Sequence, residues 1–175
     1  MTATMADVKA AIRDVPNFPK AGILFKDITP ALSDPALFRA CIDHFAARHR
    51  GNPLKKIAAI ESRGFIFGAA LADRLGIGFV PIRKKGKLPH KTAEMTYNLE
   101  YGTATIEAHL DAFAPGENVL LIDDVLATGG TAAAAAALVE KLGGRIFEVA
   151  FLIELSFLNG RSKLARYSLH APIAF

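Results

Sequence analysis

Apolar positions recur along this chain in two rhythms that alternate. Spacings of three and four predict helices over about residues 7–15, 35–49, 64–75 and 131–142. Short apolar runs between them predict strands at 57–60, 77–82, 118–123 and 148–154, and residues 103–109 alternate as a strand does. The punctuation agrees. Pro16 ends the first helix, Ser33 or Asp34 caps the second, and Gly51 stops it. Gly76 closes the helix over 64–75, and Gly143-Gly144 stop the last one. Residues 17–30, with prolines and a glycine, read as irregular, and residues 83–98 as a long, basic, mobile loop. Residues after Tyr167 read as a last extended piece.

Strands alternating with helices predict an α/β fold, with a central, mainly parallel sheet flanked by helices. The run 132–137 is all alanine and reads as a helix packed too close to the sheet for larger side chains. Ligands of such sheets bind at the carboxyl ends of the strands. Those ends are Glu61, Arg83 and Asp123-Asp124, and each opens a chemically interesting segment.

Composition narrows the picture only at a few points. At 175 residues and 51% apolar, the chain is one domain, 1–175, with enough material for a core. No apolar stretch has the length of a membrane span or the form of a signal peptide, so no membrane is expected. Cys41 is the only cysteine, which excludes an internal disulfide and fits a reducing cytoplasm. It falls on the stripe Phe38/Cys41/Ile42/Phe45, so it reads as core rather than as a reactive thiol. The net charge of +4 does not call for nucleic acid. The positive charge is local: Arg83, Lys84, Lys85, Lys87 and Lys91 fall within nine residues. Such a run is most often a solvated loop; beside a polyphosphate site it becomes an electrostatic funnel.

The most informative segment is VLLIDDVLATGGT, residues 119–131. A buried strand runs into two acids, then a Gly-rich turn opens a helix. Exposed N–H groups and the helix dipole make such a terminus an anion site. Gly129 and Gly130 let the backbone approach a phosphate, and Thr128 and Thr131 add hydroxyl donors. No lysine follows the glycines as a Walker loop requires, and Gly76-Ile77-Gly78 lacks the third glycine of a dinucleotide fingerprint. Paired carboxylates before a phosphate cradle suit a ligand with vicinal hydroxyls beside one phosphate, a ribose 5-phosphate. The ordinary alternative is a surface Asp-Asp turn before a helix.

This segment resembles the phosphoribosyl pyrophosphate (PRPP) binding motif of the type I phosphoribosyltransferases, and DDVLATGGT resembles their adenine-specific branch. The resemblance also covers NFPKAGILFKDITP (residues 17–30), ESRGF (61–65), RKKGKLP (83–89) and YNLEYGT (97–103), in the family's order. It implies transfer of 5-phosphoribosyl from PRPP to adenine, giving AMP and pyrophosphate in purine salvage, through an oxocarbenium-like transition state. It further implies an N-terminal base-binding hood (1–34), a flexible lid loop (83–98), a cytoplasmic homodimer and a Mg2+ ion held mainly through PRPP, near Asp123 and Asp124, with no dedicated metal cage.

Residue by residue, the resemblance assigns the ribose to Asp123 and Asp124, and the 5′-phosphate to Ala127, Thr128, Gly129, Gly130 and Thr131. Glu61, Ser62, Arg63, Arg83 and Lys87 go to the pyrophosphate, with a cis peptide expected between Glu61 and Ser62. Arg63 and Glu100 are the catalytic residues, Glu100 as an acid or base near purine N7. Leu24, Phe25, Lys26 and Leu158 form the adenine pocket, with Phe25 and Leu158 on opposite faces of the ring. Many relatives carry Arg where Lys26 stands. Tyr101 packs on the ribose side, and His90 and Lys91 receive no role.

Each assignment has a structural alternative: an exposed helix-start arginine for Arg63, a strand-start glutamate for Glu100, plain core packing for Phe25 and Leu158. Two rival functions also fit the motif. One is a phosphoribosyltransferase for a 6-oxopurine, which typically carries a lysine near the base. The other is a PRPP-sensing regulator, which often loses lid or acid/base residues; Lys87 and Glu100 are both present here.

Overall fold

The computed structural model describes residues 3–98 and 102–175. The chain forms two compact units, Met1–Arg48 and His49–Phe175.

In the first unit, helix α1 covers Met5–Ala11. Thr4 Oγ1 accepts from the Asp7 N–H while Asp7 Oδ2 accepts from the Thr4 N–H, a capping box. The expected helix over 7–15 therefore starts and stops early. Its last residues are strand β1 (Arg13–Pro16), paired antiparallel with β2 (Leu24–Asp27), which lies inside the segment expected to be irregular. Cross-strand pairing overrides local preference here. Arg13 pairs with Asp27 at 2.6 Å and Lys26 with Asp14 at 2.5 Å, one ion pair on each side of the hairpin. The short helix α2 (Thr29–Ser33) follows, then α3 (Pro35–His49). Asp34 Oδ1 caps α3, accepting from the N–H groups of Ala36 and Leu37 at 2.8 and 3.1 Å. Cys41 is buried in it, and burial pushes its thiol up to about 11, which fits an inert core residue.

Asp27 ties the hairpin to α2. The Thr29 and Arg13 donors hold its carboxyl at about 2, well below the usual carboxylate range. A depressed acid stabilises the fold above its unfolded value near 4, and that contribution fades as pH falls toward about 2. Asp27→Asn is expected to lower the melting temperature at pH 6, and the gap to the parent should narrow from pH 4 downward in a melting series. A gap that is constant with pH would remove the carboxylate from the account.

The second unit carries the main sheet. Its elements are β3 (Lys56–Ile60), α4 (Gly64–Leu75), β4 (Gly78–Lys84), β5 (Thr92–Asn98), β6 (Thr103–His109), β7 (Asn118–Leu126), α5 (Gly130–Lys141), β8 (Arg145–Glu154), β9 (Leu169–His170) and β10 (Ile173–Ala174). The order across the sheet is β10-β8-β7-β3-β4-β6-β5, with β9 beside β8. β3, β4, β7, β8, β9 and β10 run parallel; β6 runs antiparallel to β4, and β5 antiparallel to β6, as an arm. The central strands are buried on both faces: Ile57, Ala58, Leu120, Leu121 and Ile122 are all fully buried. The alanines of α5 do let it lie close, with Ala135 and Ala136 fully buried beside β5, β7 and β8.

Residues 83–98 differ from expectation. Arg83 and Lys84 close β4, a short turn follows, and Thr92–Asn98 is a full strand paired with β6 along its whole length. Ala93, Met95 and Tyr97 alternate toward the core, a period of two that the basic run upstream obscures. Among the described residues no helix is long and apolar enough to cross a membrane.

Candidate active site

The site exists because the strands end at different heights. β3 pairs with β7 only as far as Ala59 opposite Ile122, while β8 follows β7 to Leu126 opposite Glu154. The two acids thus lie within β7 rather than after it, beyond the last pair with β3. A cleft of about 370 Å³ opens there, lined by Glu61, Ser62, Arg63, Asp123, Asp124 and the loop Ala127–Thr131, among others. The carboxyl-end rule for parallel sheets locates this cleft.

The peptide between Glu61 and Ser62 is cis. Arg63 stands at the start of α4 and forms an ion pair with Asp124 through Nε and Oδ2. Asp124 is only 4% exposed, whereas Arg63 reaches solvent. Asp123 Oδ1 accepts from the Asp124 N–H at 2.9 Å. It also looks onto the main chain of α4: a Cβ on Gly64 would sit 2.7 Å from Asp123 Oδ1. Burial pushes the Asp123 carboxyl well above its usual range, the neighbouring Asp124 charge pushes it further, and Arg63 offsets only part. Two acids side by side are held together at a cost, as expected where a site awaits a ligand.

The phosphate-loop segment is built by close main-chain contact. Gly129 has φ +77° and caps α5. A Cβ there would lie 2.4 Å from the Gly160 carbonyl oxygen, and one on Gly160 would lie 2.2 Å from that of Ala127. The turn 160–164 therefore braces the loop from behind. Thr131 Oγ1 donates to the Tyr97 hydroxyl at 3.1 Å, which ties the loop to β5.

The expected site residues divide. Glu61, Ser62, Arg63, Asp123, Asp124 and 127–131 meet in one cleft. Arg83 and Lys87 do not line it. Arg83 Nε donates to Glu61 Oε2 at 2.8 Å and its Nη1 to the Lys87 carbonyl at 3.0 Å, so it lies just behind the rim. Lys84 lines the cleft instead, since neighbouring strand residues face opposite ways. Tyr97 is a further lining residue that sequence reasoning missed, and its signal was the alternation of β5.

Leu24, Phe25 and Lys26 lie on β2 of the first unit. Phe25 meets Phe18 edge to face at 5.2 Å. Lys26 is engaged with Asp14. Leu158 belongs to the second unit, in a short 3-10 turn, and is 36% exposed. Glu100 and Tyr101 lie outside the described residues. No cluster of three metal-binding side chains occurs among the described residues; the carboxylates lining the cleft are Asp123, Asp124 and Glu61, the last paired with Arg83, a donor set that fits Mg2+ bound chiefly through phosphates.

Comparison with known proteins agrees with this geometry. Residues 31–168 match the model of the phosphoribosyl transferase domain family. The adenine phosphoribosyltransferase of Roseiflexus sp. (strain RS-1) is 56% identical over the full length of both chains. The crystal structure of adenine phosphoribosyltransferase from Thermoanaerobacter pseudethanolicus superposes with a TM-score of 0.95 at 51% identity, over 98% of this chain and 99% of that one. The corresponding Giardia lamblia enzyme, crystallised with 9-deazaadenine, gives 0.94 at 41% identity, over 99% of each chain. With the PRPP-type motif at the end of β7 and this likeness along its whole length, the chain belongs to the adenine phosphoribosyltransferases of the type I family.

Proposed function

We propose that this enzyme transfers 5-phosphoribosyl from PRPP to adenine, releasing pyrophosphate and forming AMP in purine salvage. The observation that carries this reading is the single cleft in which two carboxylates, an arginine and a glycine-rich helix start converge. In the reaction a bond forms from adenine N9 to the anomeric carbon, and the proton on the imidazole ring of adenine passes to a base, the role proposed for Glu100. The bond from that carbon to the pyrophosphate oxygen breaks, and the electron pair leaves with pyrophosphate. Positive charge grows on the ribose and negative charge on the leaving group. Carboxylates near the first and cations near the second lower the barrier.

Within this proposal Asp123 and Asp124 accept hydrogen bonds from the ribose hydroxyls. The N–H groups and hydroxyls of Ala127, Thr128, Gly129, Gly130 and Thr131 hold the 5′-phosphate. Arg63 acts at the pyrophosphate together with Glu61, Ser62, Arg83 and Lys87. Its ion pair with Asp124 gives that step a built-in exchange. Pyrophosphate draws the guanidinium away, and Asp124 is released to take a ribose hydroxyl in its place. Mg2+ is the proposed cofactor, held by PRPP oxygens near Asp123 and Asp124; when bound it neutralises charge on the departing pyrophosphate.

Leu24, Phe25, Lys26 and Leu158 take adenine, with the aromatic ring of Phe25 stacked on the base. Residues 1–34 serve as hood and residues 83–98 as lid, the latter built from a short turn and the paired strand β5 rather than from a flexible loop. The enzyme works in the cytoplasm as a homodimer, which light scattering of the purified protein would test.

A spectrophotometric assay with PRPP and magnesium, offering adenine, hypoxanthine, guanine and xanthine in parallel, tests the function. Turnover with adenine alone is expected. Tight binding of PRPP or AMP without turnover of any base would indicate a sensor. Glu100 is proposed as the acid or base near N7, and Glu100→Ala is expected to lower kcat about 100-fold or more in this assay. Undiminished turnover would remove that role.

A further inference from the structure

A buried carboxylate that the reaction itself does not use sits beneath the basic turn. Glu107, on β6, is only 3% exposed and pairs in register with Arg83 of β4. Its Oε1 accepts from the main-chain N–H groups of Lys87 and Leu88, both at 2.9 Å, and its Oε2 accepts from the Thr92 hydroxyl at 3.2 Å. Burial pushes its carboxyl up, but the N–H groups of Leu88, Gly86 and Lys87 and the Thr92 hydroxyl more than offset this, and it titrates below its usual range. On the other side of the turn, Arg83 Nη1 donates to the Lys87 carbonyl at 3.0 Å. Residue 87 is thus gripped through both of its peptide groups, by an anion at its N–H and a cation at its carbonyl.

This arrangement has a cost. Burying a carboxylate is unfavourable unless its oxygens are fully occupied, and a neutral amide would satisfy the same donors less well. What the charge adds is order in a turn that carries Lys87 and follows Lys84 and Lys85, of which Lys85 is paired with Glu94 at 2.8 Å. The N–H groups of Lys87 and Leu88 are already taken, so the turn offers a polyanion its lysine side chains rather than its main chain.

We infer that Glu107 is a positioning residue for pyrophosphate recognition: it holds residues 86–88 so that the Lys87 ammonium meets the leaving group without the turn having to order at the moment of binding. The inference rests on the proposed role of Lys87 at the pyrophosphate. Pre-ordering lowers the cost of binding, so its loss appears in the affinity for the pyrophosphate-bearing ligands and not for the base.

The test is a two-residue cycle of Glu107→Gln and Lys87→Ala, with initial rates measured forward against PRPP and adenine and in reverse against AMP and pyrophosphate. Glu107→Gln is expected to raise the KM for PRPP and for pyrophosphate about 10-fold while those for adenine and AMP stay within about 2-fold. In the Lys87→Ala background the same change should add less than about 2-fold, because what it positions is gone. Equal rises for all four ligands, or full additivity with Lys87→Ala, would overturn the inference and leave Glu107 a purely structural group. Lys87→Ala with unchanged KM for PRPP and pyrophosphate would instead overturn the role of Lys87 on which the inference stands. If Glu107→Gln does not fold, Thr92→Val removes one bond to the same carboxylate. A smaller rise in the same two KM values supports the inference, and no rise overturns it.

Discussion

Gly129→Ala is expected to reduce kcat/KM for PRPP by about 100-fold or more. Two effects combine. The left-handed φ of +77° at residue 129 costs alanine about 1–2 kcal/mol. The new Cβ would then stand 2.4 Å from the Gly160 carbonyl oxygen and 3.1 Å from its carbon. Both are main-chain atoms, so no side-chain rotation relieves the contact. Gly160 also faces the Ala127 carbonyl, so turn and loop are in main-chain contact at two points. Relief requires the two backbones to move apart, and residues 127–131 are the loop proposed to hold the 5′-phosphate. Overpacking of this kind also costs about 1–3 kcal/mol of stability. Steady-state kinetics together with a thermal melt would check both parts. A kcat/KM within a few-fold of the parent would mean that the loop tolerates displacement, and the phosphate assignment would have to move elsewhere.

Asp123→Asn is expected to act in two opposite directions, stabilising the fold by about 1–2 kcal/mol while lowering kcat/KM for PRPP by about 100-fold. Burial first, and the adjacent Asp124 charge second, hold the Asp123 carboxyl well above its usual range. An acid whose folded value is raised contributes nothing to instability below its unfolded value near 4. Its cost grows as pH rises from there and levels off above the folded value. The neutral amide escapes that cost and still accepts the Asp124 N–H through its carbonyl oxygen. The gain in melting temperature should therefore be absent at pH 3.5 and appear as pH rises to 8. Catalysis suffers because an amide is a weaker acceptor for a ribose hydroxyl than a carboxylate. A variant that is both less stable and less active would show that Asp123 is a structural residue first.

The opposed effects explain why the acid pair was so legible. Nothing in a packed sheet needs two adjacent carboxylates within a strand, one of them 4% exposed. Their presence after four apolar residues was a departure from folding logic, and departures of that kind mark function. The segment 119–131 carries its meaning in thirteen consecutive residues, with strand, acids, glycine turn and helix start all local. The helices 35–49 and 64–75 were legible for the same reason: an Asp34 cap and a Gly76 with φ +66° are signals within a turn of the helix they bound.

Where reading from sequence went astray, the deciding partner was distant. Residues 13–16 leave the helical pattern because residues 24–27 pair with them. Thr92–Asn98 is a strand because β6 lies beside it, although the charge of the preceding turn suggested a loop. Lys84 was passed over as a cleft residue because the face of β4 that each side chain takes is not written in the neighbouring residues. Glu107 drew no attention at all, since a lone glutamate in an alternating strand looks like a solvated position.

By itself, then, the sequence determined the family, the α/β alternation and the placing of acids and phosphate loop at one strand end, because these follow from hydrophobic period, caps and contiguous residue chemistry. Only the tertiary structure decided the cleft. It set how far β7 outruns β3, which of two adjacent cations faces inward, and how Gly160 braces Gly129. Those outcomes depend on pairing between segments tens of residues apart, and local propensity carries no record of such pairing.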